Sequence, residues 1–113
     1  MKQVTAIFRP IRLEAVEHAL HALPHLPGFT ILPAHGHPRG HGEDHSYIAD
    51  EWNPVAHQHL VLLAFCSDAA VDDVVQAIEK AAHTGVPGDG LVAVSPITDA
   101  LRIRTGERGD AAL

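Results

Sequence analysis

Apolar residues along this chain recur with two alternating periods. Residues 2–8, KQVTAIF, are rich in β-formers and alternate in part, which predicts a strand. Pro10 follows at a position that proline tolerates at the start of a helix. Leu13, Val16, Leu20 and Leu23 then recur at helical spacing until Pro24 stops the pattern. Residues 28–34, GFTILPA, predict a second strand, and residues 57–65, HQHLVLLAF, a third, largely buried one. Ser67 or Asp68 is the expected cap of a second helix, which carries Val71, Val74, Val75, Ile78, Ala81 and Ala82 on one face. Gly85 is expected to end it as the C′ residue. Residues 90–95, GLVAVS, predict a fourth strand, and LRIRTGERGD a short extended tail with a turn.

Between the second and third strands lies a long polar stretch, HGHPRGHGEDHSYIADEWNP, residues 35–54, with no apolar period. A connection of that length inside a compact domain is usually functional. The order β-α-β, long loop, β-α-β is the split βαβ arrangement, an α+β ferredoxin-like fold with both helices on one face of an antiparallel sheet. The expectation is a single domain over residues 1–113. The other sheet face needs cover, and further copies of so short a chain would supply it most simply.

Composition narrows the function. The hydrophobic fraction is 46% and the aromatic fraction 4%, so the core must be aliphatic. A formal net charge of -6 argues against nucleic acid as a partner. The ten histidines would reverse the sign of that charge if all were protonated. Cys66, the single cysteine, sits in the apolar run LVLLAFCS and reads as a small buried residue. No apolar run approaches the ~20 residues of a membrane span, and MKQVTAIFRP lacks a signal-peptide core, so a cytoplasmic location is expected.

Three features carry candidate chemistry. In TGVPGDG, residues 84–90, Gly85, Gly88 and Gly90 allow left-handed backbone and could aim amides at one anion. A plain loop closing a helix would read the same way. In LRIRTGERGD, Arg102 and Arg104 are two apart, so an extended segment would put both on one side. Paired guanidiniums suit phosphate oxygens, although a solvated charged edge is the other reading. The third feature is the long loop with its histidines.

The blocks IFRPIRLEAVEHAL, AIEKAAHTGVPGDGLVAVSP and RIRTGERGDAAL together resemble the P-II signalling superfamily over nearly the whole chain. The resemblance implies a homotrimer that binds ATP, ADP or AMP in clefts between subunits and controls a partner through a T-loop, here residues 36–54. It implies a regulator, not an enzyme, and a membrane transporter or regulatory protein as partner. It assigns Gly36 and Arg39 to the T-loop base and Gly88, Asp89 and Gly90 to the loop around the phosphates. Arg102 and Arg104 match the arginine pair that reaches phosphates from the neighbouring subunit. Ile7 and Thr30 match positions near the adenine.

The chain departs from the family pattern at several places. Gly40 stands for the glutamine that helps hold magnesium and 2-oxoglutarate. Leu91 replaces the lysine of the phosphate loop, which predicts weaker triphosphate binding or a shift toward ADP or AMP. His59, or on another local match His57, replaces the lysine of the third strand, and the resemblance places His59 among the nucleotide-binding positions. Trp52 replaces the modifiable T-loop tyrosine, and Tyr47 remains at a second family tyrosine. Both are assigned to partner binding.

Six histidines fall between positions 35 and 59, and imidazole suits zinc, copper, nickel and cobalt. His35, His37, His41 and His45, beside Glu43 and Asp44, form a candidate divalent metal site; a polar loop reads equally well. A stripe of Glu14, His18, His21 and His25 on the first helix is a fainter candidate, better read as its solvated face. The competing function is therefore a metal-binding or metal-responsive module on the same fold with a vestigial nucleotide site.

Overall fold

Alternation between buried and outward residues builds the central strands of the sheet. In the computed structural model, which describes residues 1–36 and 58–113, Val4, Ala6 and Phe8 of β1 (Lys2–Phe8) point into the core. α1 (Leu13–His21) follows, then β2 (Phe29–His35), β3 (Gln58–Cys66), α2 (Val71–Ala82) and β4 (Gly90–Pro96). The four strands form one antiparallel sheet in the order β2-β3-β1-β4, so each βαβ half interleaves with the other. This is the expected α+β ferredoxin-like arrangement.

Register divides the sheet into two faces. Val4, Ala6 and Phe8 align with Ala64, Leu62 and Leu60 of β3, and this side meets the helices. Val16 and Leu20 of α1 and Val74, Ile78 and Ala82 of α2 complete a largely aliphatic core, with Phe8 the one buried aromatic among the described residues. Cys66 is buried there, and loss of solvent pushes its thiol pKa up. On the opposite face, Leu32, Val61, Ile7 and Leu91 form one apolar row across all four strands. Three of them are exposed: Ile7 at 36%, Leu32 at 47% and Leu91 at 65%.

Several local expectations are corrected. Neither Ser67 nor Asp68 caps α2; Ala70 stands at the N-cap with no side-chain hydrogen bond. Asp68 instead accepts from the Met1 ammonium at 2.9 Å, and that cation lowers its carboxyl pKa. α2 ends at Ala82, and its C-cap His83 is already extended, so Gly85 is not the C′ residue. Gly85 does take a left-handed φ of 85°, within the following loop. The first helix is entered through a 3-10 turn at Pro10–Arg12.

The tail is not extended. A bridge between Leu101 and Arg108 closes a tight loop, in which Arg102 N donates to Glu107 O at 2.9 Å and Gly106 N to Arg102 O at 2.8 Å. Gly106, at φ 75°, permits the reversal. The premise that Arg102 and Arg104 share one side of a strand therefore does not hold in this protomer. Among the described residues, no helix is long and apolar enough to cross a membrane.

Leu62 is fully buried under both helices. Leu62→Ala should lower unfolding free energy by about 2–5 kcal/mol, read by urea denaturation with an unchanged slope.

Candidate functional site

The loop from Thr84 to Gly90 connects α2 to β4 and is organised around one carboxylate. Asp89 Oδ2 accepts from the amides of Thr84 and Gly85, each at 2.8 Å, and Oδ1 accepts from the Thr84 hydroxyl. The Thr84 hydroxyl also accepts from the Val86 amide at 3.2 Å. The Arg9 Nε lies 3.4 Å from Asp89 Oδ1. These groups hold the Asp89 carboxyl far below the usual carboxylate range, the Thr84 hydroxyl first, then the Thr84 and Gly85 amides and the Arg9 charge. The loop's own anion thus occupies the amides of its first half. A bound phosphate would have to use the second half, Gly88–Gly90.

Glycine is required in that second half for two separate reasons. A Cβ on Gly90, where φ is 112°, would stand 1.7 Å from the Ile7 carbonyl oxygen, inside the β1–β4 pairing. A Cβ on Gly88, where φ is 98°, would stand 2.9 Å from Arg9 Nη2.

Strand directions gather most of the described candidates at one end of the sheet. β1 ends there with Ile7 and Phe8, β2 ends with His35 and then Gly36, β3 begins with Gln58 and His59, and β4 begins with Gly90 and Leu91. Gly36 and His59 touch: a Cβ on Gly36 would meet the His59 Nδ1 at 2.8 Å. Ile7 lies between Val61 and Leu91 in the apolar row. A groove between α2 and β4 opens beside them, lined by Glu79, His83, Asp89, Gly90, Leu91 and Ile7 among others.

Other candidates stand apart from this end. Thr30 is on the edge strand β2, in the row of Leu63 and Thr5, two positions along from the row of Ile7. β4 carries the chain from Gly90 to Pro96, roughly 20 Å at strand rise, before Ile97 N donates to Met1 O at 3.1 Å. Arg102 and Arg104 follow, exposed, flanking Ile103, which is 95% exposed. Among the described residues, every backbone hydrogen bond made by residues 98–113 stays within the tail.

Arg39, His37, His41, His45, Tyr47 and Trp52 lie outside the described residues, as do Gly40 and His57. His35 is described and exposed at the end of β2. Among the described residues, no three His, Cys, Asp or Glu side chains gather as a metal site. On α1, His21 packs edge-on against Phe29 with ring centroids 6.1 Å apart, which serves packing.

Sequence reasoning missed the two arginines of the RPIR turn. Arg9 Nη2 donates to Pro87 O at 2.5 Å, and Arg12 Nε donates to Ala81 O at 2.8 Å in the last turn of α2. The partners are 78 and 69 residues away in the chain, beyond any local pattern. Thr84 was also missed, although the Thr-Gly start of the loop carries a signal: short hydroxyl residues bond nearby loop amides.

Residues 1–107 match the family model described as Nitrogen regulatory protein P-II. Proteins of that name from Azospirillum brasilense and Rhodospirillum rubrum are 35% and 38% identical to this chain, over all of its 113 residues and the whole of their own length. Nitrogen regulatory protein GlnK of Escherichia coli is 34% identical over the same full extent.

Because the folded-state pKa of Asp89 is depressed, its contribution is complete above the ordinary carboxylate value of ~3.9. It is lost only as pH falls further, through the lowered value. Hydrogen exchange at the Thr84 and Gly85 amides should therefore show constant protection from neutrality to about pH 5, and Asp89→Asn should remove much of it at every pH. Gly90→Ala should separate β4 from β1, read as loss of amide protection along Gly90–Val94.

Proposed function

The chain belongs to the P-II family of nitrogen regulatory proteins, and we propose that it is a regulator that binds an adenine nucleotide in clefts between the subunits of a homotrimer. ATP, ADP and AMP are the candidate ligands. The loop at residues 36–54 carries nucleotide state to a partner, a membrane transporter. The chain acts as a signalling protein and not as an enzyme.

One observation carries the reading. The loop that would hold phosphates is a built structure, tied by Asp89, with left-handed glycines at 88 and 90 and no room for a side chain at Gly90. It sits at the same sheet end as Ile7, Gly36 and His59, where the 36–54 loop leaves β2. Gly88–Gly90 would take the phosphates there, with Arg39 linking them to the T-loop. The arginine pair of the same protomer follows the opposite end of β4, which supports a clamp whose two parts come from neighbouring subunits. The exposed row Leu32, Val61, Ile7 and Leu91 supplies an apolar face for such a neighbour to cover. Thr30, on the far edge strand, joins the adenine pocket in the same way, from the adjoining copy.

Leu91 shapes the preference among nucleotides. It offers an apolar surface where a lysine would offer charge, and a charged hydrogen bond contributes roughly 1.5–3 kcal/mol. The triphosphate loses most by this replacement, so ADP or AMP should bind at least as well as ATP. Leu91→Lys should then shift preference toward ATP by about tenfold or more.

Light scattering and calorimetry test the whole reading. The expected result is a trimer that binds adenylates, and an Arg102→Ala, Arg104→Ala double variant that stays trimeric and binds at least about tenfold more weakly. A monomer, or a trimer with no adenylate affinity at millimolar concentration, would overturn it. Zinc affinity without adenylate affinity would instead establish the metal-binding module.

A further inference from the structure

The RPIR turn after β1 braces the connection between α2 and β4 at two points. Arg12 Nε reaches the Ala81 carbonyl at 2.8 Å, placing a cation at the C-terminal end of α2. Arg9 reaches the loop itself. Its Nη2 donates to the Pro87 carbonyl at 2.5 Å, its Nε lies 3.4 Å from Asp89 Oδ1, and its guanidinium fills the space that a Gly88 side chain would need. Three successive loop residues, Pro87, Gly88 and Asp89, therefore rest against one planar group.

Arg9 is itself held in place. Its backbone is extended at φ −71° and ψ 136°, Pro10 follows, and its carbonyl accepts from Arg12 N at 2.9 Å. Phe8, the last residue of β1 and immediately before it, is buried in the core. The guanidinium thus connects a rigid strand end to a surface loop whose glycines would otherwise be costly to order. The Nε contact is ionic: this buried nitrogen makes no hydrogen bond among the described residues.

We propose that Arg9 is a positioning residue for nucleotide binding, acting through Pro87–Asp89 to hold the Gly88–Gly90 amides ready for phosphate. The proposal rests on the adenylate reading above. Ordering the loop in advance removes a cost that binding would otherwise bear. A lysine at position 9 can reach the Pro87 carbonyl, but its single ammonium cannot also lie along Asp89 and fill the space beside Gly88.

The experiment compares the full-length wild type with Arg9→Met, Arg9→Lys and Arg12→Met. ADP affinity is measured by calorimetry, and amide exchange at Thr84, Gly85 and Gly88 by NMR without nucleotide. Arg9→Met should bind ADP at least about tenfold more weakly, with faster exchange at these amides and an unchanged oligomeric state. Arg9→Lys should fall between it and the wild type, and it carries the test if the Met variant fails to fold. Arg12→Met should lower the melting temperature with much less effect on ADP. Wild-type affinity in Arg9→Met, unchanged loop exchange, or equal losses of affinity in the Arg9 and Arg12 variants would each overturn the proposal. If the wild type itself binds no adenylate, the functional reading fails, and the exchange comparison still decides whether Arg9 holds the loop.

Discussion

A single ionised carboxylate determines the shape of the loop that joins α2 to β4. Asp89 gathers two backbone amides and a hydroxyl from the residues just after α2, and it sits beside a guanidinium from the end of β1. Each of these donors prefers the charged form, which is why the carboxyl resists protonation. The same contacts turn a glycine-rich surface segment into a defined loop. Its neighbour Gly90 then enters the β1–β4 ladder at a distance from Ile7 that excludes any side chain.

The sheet gives that loop its setting. Antiparallel register brings the ends of β1 and β2 and the starts of β3 and β4 to one edge, so residues scattered from position 7 to position 91 become neighbours. The helices cover only one face, where the core is aliphatic and closed. The other face keeps an apolar row in contact with solvent, an arrangement suited to association. In the trimeric reading, the row and the nucleotide cleft are consequences of the same uncovered face.

The replaced charges belong in this frame. Leu91 extends the apolar row instead of adding a cation to the loop. His59 lies against Gly36, at the point where the chain leaves β2 for the long loop. Both residues fall at the sheet end where β2 stops and the Thr84–Gly90 loop enters β4.

The fold class and the order of its elements were readable from the sequence, because the periods of burial are local: two along the strands and 3.6 along the helices. The glycine-rich loop and the arginine pair were visible as candidate chemistry for the same reason, and the P-II resemblance tied them together. Element ends were less legible. Ser67 and Asp68 look like caps, yet Asp68 meets an ammonium from the other end of the chain. RIRTGE looks extended, yet Gly106 turns it into a closed loop. Only tertiary structure decided what Asp89 does. The sequence presents it as a member of an anion-binding loop, whereas folding makes it the loop's own anion and brings Arg9 beside it from the end of the paired strand β1. The difference is physical: periodicity records which side of an element is buried, while the partner of a charge depends on where distant segments meet.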